Sequence, residues 1–85
     1  MAQIQIDVPD EIVLAENTDA AAFGREMRLL AAIKLYELGR LTSGRAARLA
    51  DMSRVAFLAE LDRHRVFPLE AELKELEQRI VGSDH

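Results

Sequence analysis

The chain contains no cysteine, which excludes disulfides and cysteine-based metal sites. Nothing in it demands an oxidising compartment. No apolar run approaches the length of a membrane span. The N-terminus, MAQIQIDV, lacks a charged region followed by an apolar stretch, so it does not read as a signal peptide. A cytoplasmic protein with no membrane partner is expected. There is no glycine-rich phosphate loop. The two histidines, His64 and His85, are isolated and have no partners at metal-ligand spacing. Few serines, no cysteine and unsupported histidines speak against nucleophilic catalysis. The carboxylates are scattered or lie on solvated helix faces, so no acid–base pair stands out. The expectation is a protein that is not an enzyme and that uses no metal and no cofactor.

What remains is short and charged. The 85 residues are read as a single domain, 1–85, with a small core. Dimerisation is a common remedy for so small a core, and a homodimer is expected. The net charge is −4, which on its own disfavours a general nucleic-acid binder. Its distribution is uneven. Residues 40–65 carry six arginines (Arg40, Arg45, Arg48, Arg54, Arg63, Arg65) against three acids (Asp51, Glu60, Asp62), or +3. The remainder carries five basic residues against twelve acids, or −7. Every basic residue of the positive segment is arginine, the side chain best suited to bidentate phosphate contacts.

Patterning predicts a mainly α chain with a short N-terminal β-strand, a long helix, a helix-turn-helix and a C-terminal amphipathic helix. AQIQIDV, residues 2–8, alternates polar and apolar, placing Ile4, Ile6 and Val8 on one face. Residues 1–16 are therefore read as strand and turn. A lone strand needs a partner, and the two available are the piece at Val66-Phe67 and the same strand of a second subunit. Ile4, Ile6 and Val8 are the candidate dimerisation residues. Paired strands of this kind also open ribbon-helix-helix repressors, where Gln3 and Gln5 would read adenine. The absence of basic residues from the strand and the high helix count argue against that form.

Pro9 starts a short helical turn, where its missing N–H is harmless. Thr18 or Asn17 is expected to cap a long helix to about Leu38. Phe23, Met27, Leu30, Ile33 or Lys34, and Leu38 follow the helical spacing, with Leu35 and Tyr36 widening the stripe. Gly39 suits a left-handed C-terminal cap. Thr42 or Ser43 then caps GRAARLA, Asp51-Met52 makes a turn, and Ser53 caps RVAFLAELDRHR. Residues 18–65 form the helical core of this reading. Pro68 breaks the pattern, and from Leu69 an acidic amphipathic helix places Leu69, Leu73, Leu76 and Ile80 on one stripe. Residues 66–85 are thus an acidic tail. Its stripe either packs on the protein's own core or lies in a groove on a partner.

LTSGRAARLADMS, residues 41–53, reads as a helix, a tight turn and the cap of a second helix. Ala46, Ala47 and Ala50 supply the small residues a steep crossing needs, and Met52 plugs the corner. In a DNA reader the second helix enters the major groove, with its first residues at base edges. The DNA-binding candidates are Ser43, Arg45, Arg48, Ser53, Arg54 and Val55. Arg54 would meet guanine, Val55 a thymine methyl, and Arg45 and Arg48 the backbone. Asp62 and Glu60 oppose this with negative charge. The bland alternative is a compact helical pair with solvated arginines.

IKLYELGRLTSGRAARLADMSRVAFLAEL, residues 33–61, resembles the signature of an uncharacterised (UPF-class) small-protein family of prokaryotes. Members show LY, then G, then Ser or Thr before G-[KR]-A-A, then LA-x-MS, then phenylalanine and leucines. Leu35-Tyr36, Gly39, Ser43-Gly44-Arg45-Ala46-Ala47, Leu49-Ala50, Met52-Ser53 and Phe57-Leu58 all match. The family continues with a glycine and an extended Ile-Pro-Val type segment, whereas this chain has Arg65-Val66-Phe67-Pro68 without the glycine. The resemblance implies an antitoxin-like helix-turn-helix protein, because members are often encoded beside PIN-like toxin nucleases. It implies a type II toxin–antitoxin system in which the chain binds its cognate toxin and represses its own operon on operator DNA. Leu69, Leu73, Leu76 and Ile80 are then the candidate toxin-binding residues. A second class stays open: a protein-interaction adapter whose helix-turn-helix mediates dimerisation without touching DNA.

Overall fold

The computed structural model describes residues 1–68. These residues contain four helices: α1 (Asp10–Ala15), α2 (Ala20–Glu37), α3 (Ser43–Leu49) and α4 (Arg54–Arg63). The mainly α expectation fits, but the expected N-terminal β-strand is absent. No strand occurs among the described residues, and residues 1–9 carry no regular structure. The physical reason lies at the other end of α4. Val66, the expected in-chain partner, spends its N–H on the Leu61 carbonyl at 2.9 Å, where it closes α4. Alternation without a partner leaves both strand edges unpaired, so the pattern of Ile4 and Ile6 yields no ladder. Within residues 1–16 the turn becomes the six-residue helix α1, which buries none of its side chains. The amphipathic C-terminal helix expected from Leu69 onward lies outside the described residues.

Capping side chains set the helix starts. The Asp19 carboxylate accepts from Ala22 N–H at 2.8 Å, so Asp19 caps α2 rather than Thr18 or Asn17. Asn17 is used instead to end α1. Thr42 Oγ1 accepts from Arg45 N–H at 3.3 Å, and Ser53 Oγ accepts from Ala56 N–H at 3.1 Å. These two caps start α3 and α4 as the sequence suggested.

All four helices end alike. Each is followed by a left-handed residue: Asn17 (φ 53), Gly39 (φ 76), Asp51 (φ 58) and Arg65 (φ 57). Around each, two N–H groups fold back onto the last turn. They are Asn17 to Leu14 and Thr18 to Val13, Gly39 to Tyr36 and Arg40 to Leu35, Asp51 to Arg48 and Met52 to Ala47, and Arg65 to Asp62 and Val66 to Leu61. This is the Schellman arrangement, which satisfies carbonyls a helix end would leave open. Glycine suits it best, while Asn and Asp tolerate it through local hydrogen bonding. Arg65 has neither advantage. Arg65→Gly is expected to stabilise the chain by about 0.5–1 kcal/mol, since the relief of strain exceeds the entropy glycine adds to the unfolded chain. A thermal melt of the variant beside the parent checks this, and a lower midpoint contradicts it.

The core is one cluster where α2, α3 and α4 meet. It comprises Ala32, Ile33 and Tyr36 of α2, Ala46 and Ala47 of α3, and Phe57 and Leu61 of α4. The Tyr36 and Phe57 rings meet edge to face, with centroids 5.9 Å apart and planes at 84°. Alanines line α3, so its backbone can lie close to both neighbours. Met52 packs at the corner as expected, and Leu29, Leu41, Leu49, Leu58 and Val66 close the rim. The buried face of α2 is rotated from the leucine stripe read in sequence. Leu30 and Leu38 are exposed, Ile33 rather than Lys34 is buried, and the small Ala32 takes the central place. No helix among the described residues is long and apolar enough to cross a membrane.

Candidate nucleic-acid interface

α3 and α4 form the helix-turn-helix unit, joined by residues 50–53. Ala46 and Ala47 point into the core, so the remainder of α3 is left to face outward. Arg45 and Arg48, one helical turn apart, are both exposed. Neither forms an ion pair among the described residues. Two guanidinium groups thus project from one short helix with no carboxylate among the described residues paired to them.

The start of α4 divides into an inward and an outward part. Phe57 and Leu61 are buried. Val55 is 78% exposed, and Ala56 and Ala59 are exposed beside it. The outer face of this helix is therefore small and apolar at its first turns. Such a face lets a helix approach a flat partner closely, with a methyl-sized probe at Val55. Ser53 is exposed, but its hydroxyl is engaged as the α4 cap.

Ser43 is not where a base or phosphate contact would need it, and Arg54 is tied to it. Ser43 is 1% exposed and belongs to the interior. Arg54 is half-buried, and its Nε–H donates to Ser43 Oγ at 2.8 Å. The bond ties the first residue of α4 to the first residue of α3. A guanidinium held this way fixes the angle between the two helices. Of the six DNA-binding candidates, Arg45, Arg48, Ser53 and Val55 are exposed, whereas Ser43 is buried and the half-buried Arg54 is bonded to it through Nε.

The acids that opposed nucleic-acid binding are placed unequally. Glu60 accepts from Arg63 Nη1 at 3.1 Å, and its other oxygen lies 4.0 Å from His64 Nδ1. His64 Nδ1 also lies 2.9 Å from the Glu60 carbonyl oxygen, at the C-terminal end of α4. Glu60 is thus screened by its own helix. Asp62 remains exposed. No group of three or more His, Cys, Asp or Glu side chains that could hold a metal ion gathers among the described residues.

The other candidates lie apart from this surface. Ile4 and Ile6 are exposed on the irregular N-terminal segment, and Val8 is half-buried. Leu69, Leu73, Leu76 and Ile80 lie outside the described residues. One residue of the surface escaped the sequence reading. Arg28 of α2 donates through Nε to the carbonyl of Leu49, the last residue of α3, at 2.9 Å. Counting charge only over residues 40–65 left it out, since it is far away in sequence. Its cue was the exposed, arginine-bearing N-terminal half of the helix that must pack on α3.

A family model described as an uncharacterised protein family (UPF0175) matches residues 1–85. A protein of Archaeoglobus fulgidus called a UPF0175 protein is 47% identical over 55 residues. That stretch covers 65% of this chain and 62% of the length of the relative. No solved structure matches.

Proposed function

The chain belongs to UPF0175, a family described as uncharacterised, so its activity must be argued from its own residues; we propose that it is a DNA-binding antitoxin. In this reading the helix-turn-helix of α3 and α4 binds operator DNA and represses the operon. The observation that carries it is the exposed pair Arg45 and Arg48, without an ion pair among the described residues, beside the open, small-residue start of α4. α4 would lie in the major groove, with Val55 against a thymine methyl and Ser53 at its entry. Arg45 and Arg48 would sit on the phosphate backbone, fixing register and orientation.

The double variant Arg45→Ala/Arg48→Ala tests this. Each phosphate contact contributes about 1 to the slope of log affinity against log salt concentration, so the double variant should flatten that slope by about 2. Binding should weaken on all duplexes alike, and the thermal midpoint should hold, because both side chains are exposed. An unchanged slope would remove α3 from the interface.

The toxin half of the proposal rests on the resemblance of residues 33–61, and the partner it names is a PIN-like nuclease. Leu69, Leu73, Leu76 and Ile80 are the residues proposed to meet it. A chain ending at Phe67 should then fold but fail to co-purify with the product of the neighbouring gene. Retained co-purification would contradict the assignment. A homodimer belongs to the same proposal, with the exposed Ile4 and Ile6 as the surface a second copy covers. Sedimentation equilibrium of Ile4→Ser/Ile6→Ser should show a shift toward monomer relative to the parent. An equal dimer fraction in both would move the interface elsewhere.

A further inference from the structure

The bond from Arg28 to Leu49 joins two elements and carries a consequence for charge. Arg28 is exposed on α2, and its anchor, Leu49, directly follows Arg48 on α3. The carbonyls of a helix C-terminus carry partial negative charge, which holds a cation well. An arginine has several N–H donors on its guanidinium, and Nε supplies only one of them. Arg28 makes no other hydrogen bond and no ion pair among the described residues. Among the described residues its Nη groups are therefore unengaged, on a side chain already held by its anchor. A free arginine loses rotamer freedom when it is immobilised, and an anchored one loses less. Arg25, three residues earlier on α2, is exposed as well and forms no ion pair among the described residues. The basic surface is thus not confined to α3.

We propose that Arg28 is a phosphate-binding residue, and that the DNA-contacting surface extends from Arg45 and Arg48 of α3 onto α2. This rests on the DNA-binding reading above. The ligand is the sugar-phosphate backbone, to which a guanidinium set at the end of α3 presents parallel N–H donors. α2 then supplies a fixed contact beside the groove entered by α4, and sequence plays no part in its recognition. Arg28 also caps α3, and this structural role must be separated from phosphate binding.

The variants Arg28→Gln and Arg28→Ala separate the two. Gln removes the charge but keeps an N–H donor in reach of the Leu49 carbonyl, whereas Ala removes both. The full chain is titrated onto a fluorescein-labelled duplex of the DNA upstream of its own gene, and onto a scrambled duplex of equal composition, at several salt concentrations. Both variants should weaken binding several-fold on both duplexes. Both should flatten the salt slope by about 1. The thermal midpoint should fall more for Ala than for Gln. A parental slope in both variants would overturn the proposal and leave Arg28 as a cap alone. The parent's own titration reports on the DNA-binding reading separately. If the parent binds neither duplex, that reading fails and Arg28 loses its ligand with it; if the parent binds and the variants match it, only the Arg28 proposal fails.

Discussion

Phe57→Ala is expected to leave the chain largely unfolded at room temperature. Phe57 is fully buried and edge to face with Tyr36, so it joins α4 to α2. Truncating a buried phenylalanine costs about 3–5 kcal/mol through lost transfer energy and the cavity left behind. The ring pair adds about 0.5–1.5 kcal/mol to what is lost. Below about 70–80 residues a single core rarely supplies more than about 3–5 kcal/mol, and a chain of 85 residues stands little above that limit. The alanines at 32, 46 and 47 cannot swell to fill the hole. Far-ultraviolet circular dichroism should show most of the helix signal gone, with no cooperative melt. A cooperative transition within a few degrees of the parent would mean that the Tyr36–Phe57 contact is not the keystone of the core.

Arg54→Ala should destabilise the fold by about 1.5–2 kcal/mol. A hydrogen bond involving a charged group contributes about 1.5–3 kcal/mol, and the lower part of that range applies to a half-buried side chain. For a domain of this length the melting midpoint should fall by about 4–8 °C for each kcal/mol. Arg54→Lys should recover little, because lysine has no N–H at the Nε position to reach Ser43 Oγ. The pattern of base preference should survive in whatever fraction stays folded. A base-reading Arg54 would behave in the opposite way: the midpoint would hold, and preference at one position of the site would relax. Melts and binding to a set of single-substitution duplexes, run on the same preparation, distinguish the two outcomes.

Arg54 also shows where the sequence stops being informative. Position alone put it at the N-terminus of the second helix, with the other groove-facing residues. Whether its guanidinium reaches outward or folds back depends on an acceptor supplied by the preceding helix. Ser43 becomes that acceptor only because Thr42, not Ser43, takes the capping position, which turns Ser43 inward. The helix starts and stops were more legible, because capping is local chemistry. Ser53, Gly39 and Asp51 do what their types and spacing suggested. The α2 stripe was legible in part: Ile33 and Tyr36 are buried on it, but Leu30 and Leu38 are exposed, because leucine marks apolarity and not location. The face that met α3 was set by close approach, and alanine is what close approach requires. Alternation over residues 2–8 was real, but a strand is a property of two segments, and α4's closing turn claimed the second. Arg28 was invisible for a related reason, since its anchor lies 21 residues away in sequence.

The central claim is that the helix-turn-helix binds DNA and reads its sequence. The most direct measurement is a titration of the purified full-length chain against its own upstream DNA and a scrambled duplex, at two salt concentrations. Tighter binding to its own DNA, with affinity for both duplexes falling as salt rises, is the predicted result. Equal affinity for the two duplexes, or no binding to either, would contradict it. The helix-turn-helix would then be a scaffold, and the chain an adapter that acts through protein contacts alone.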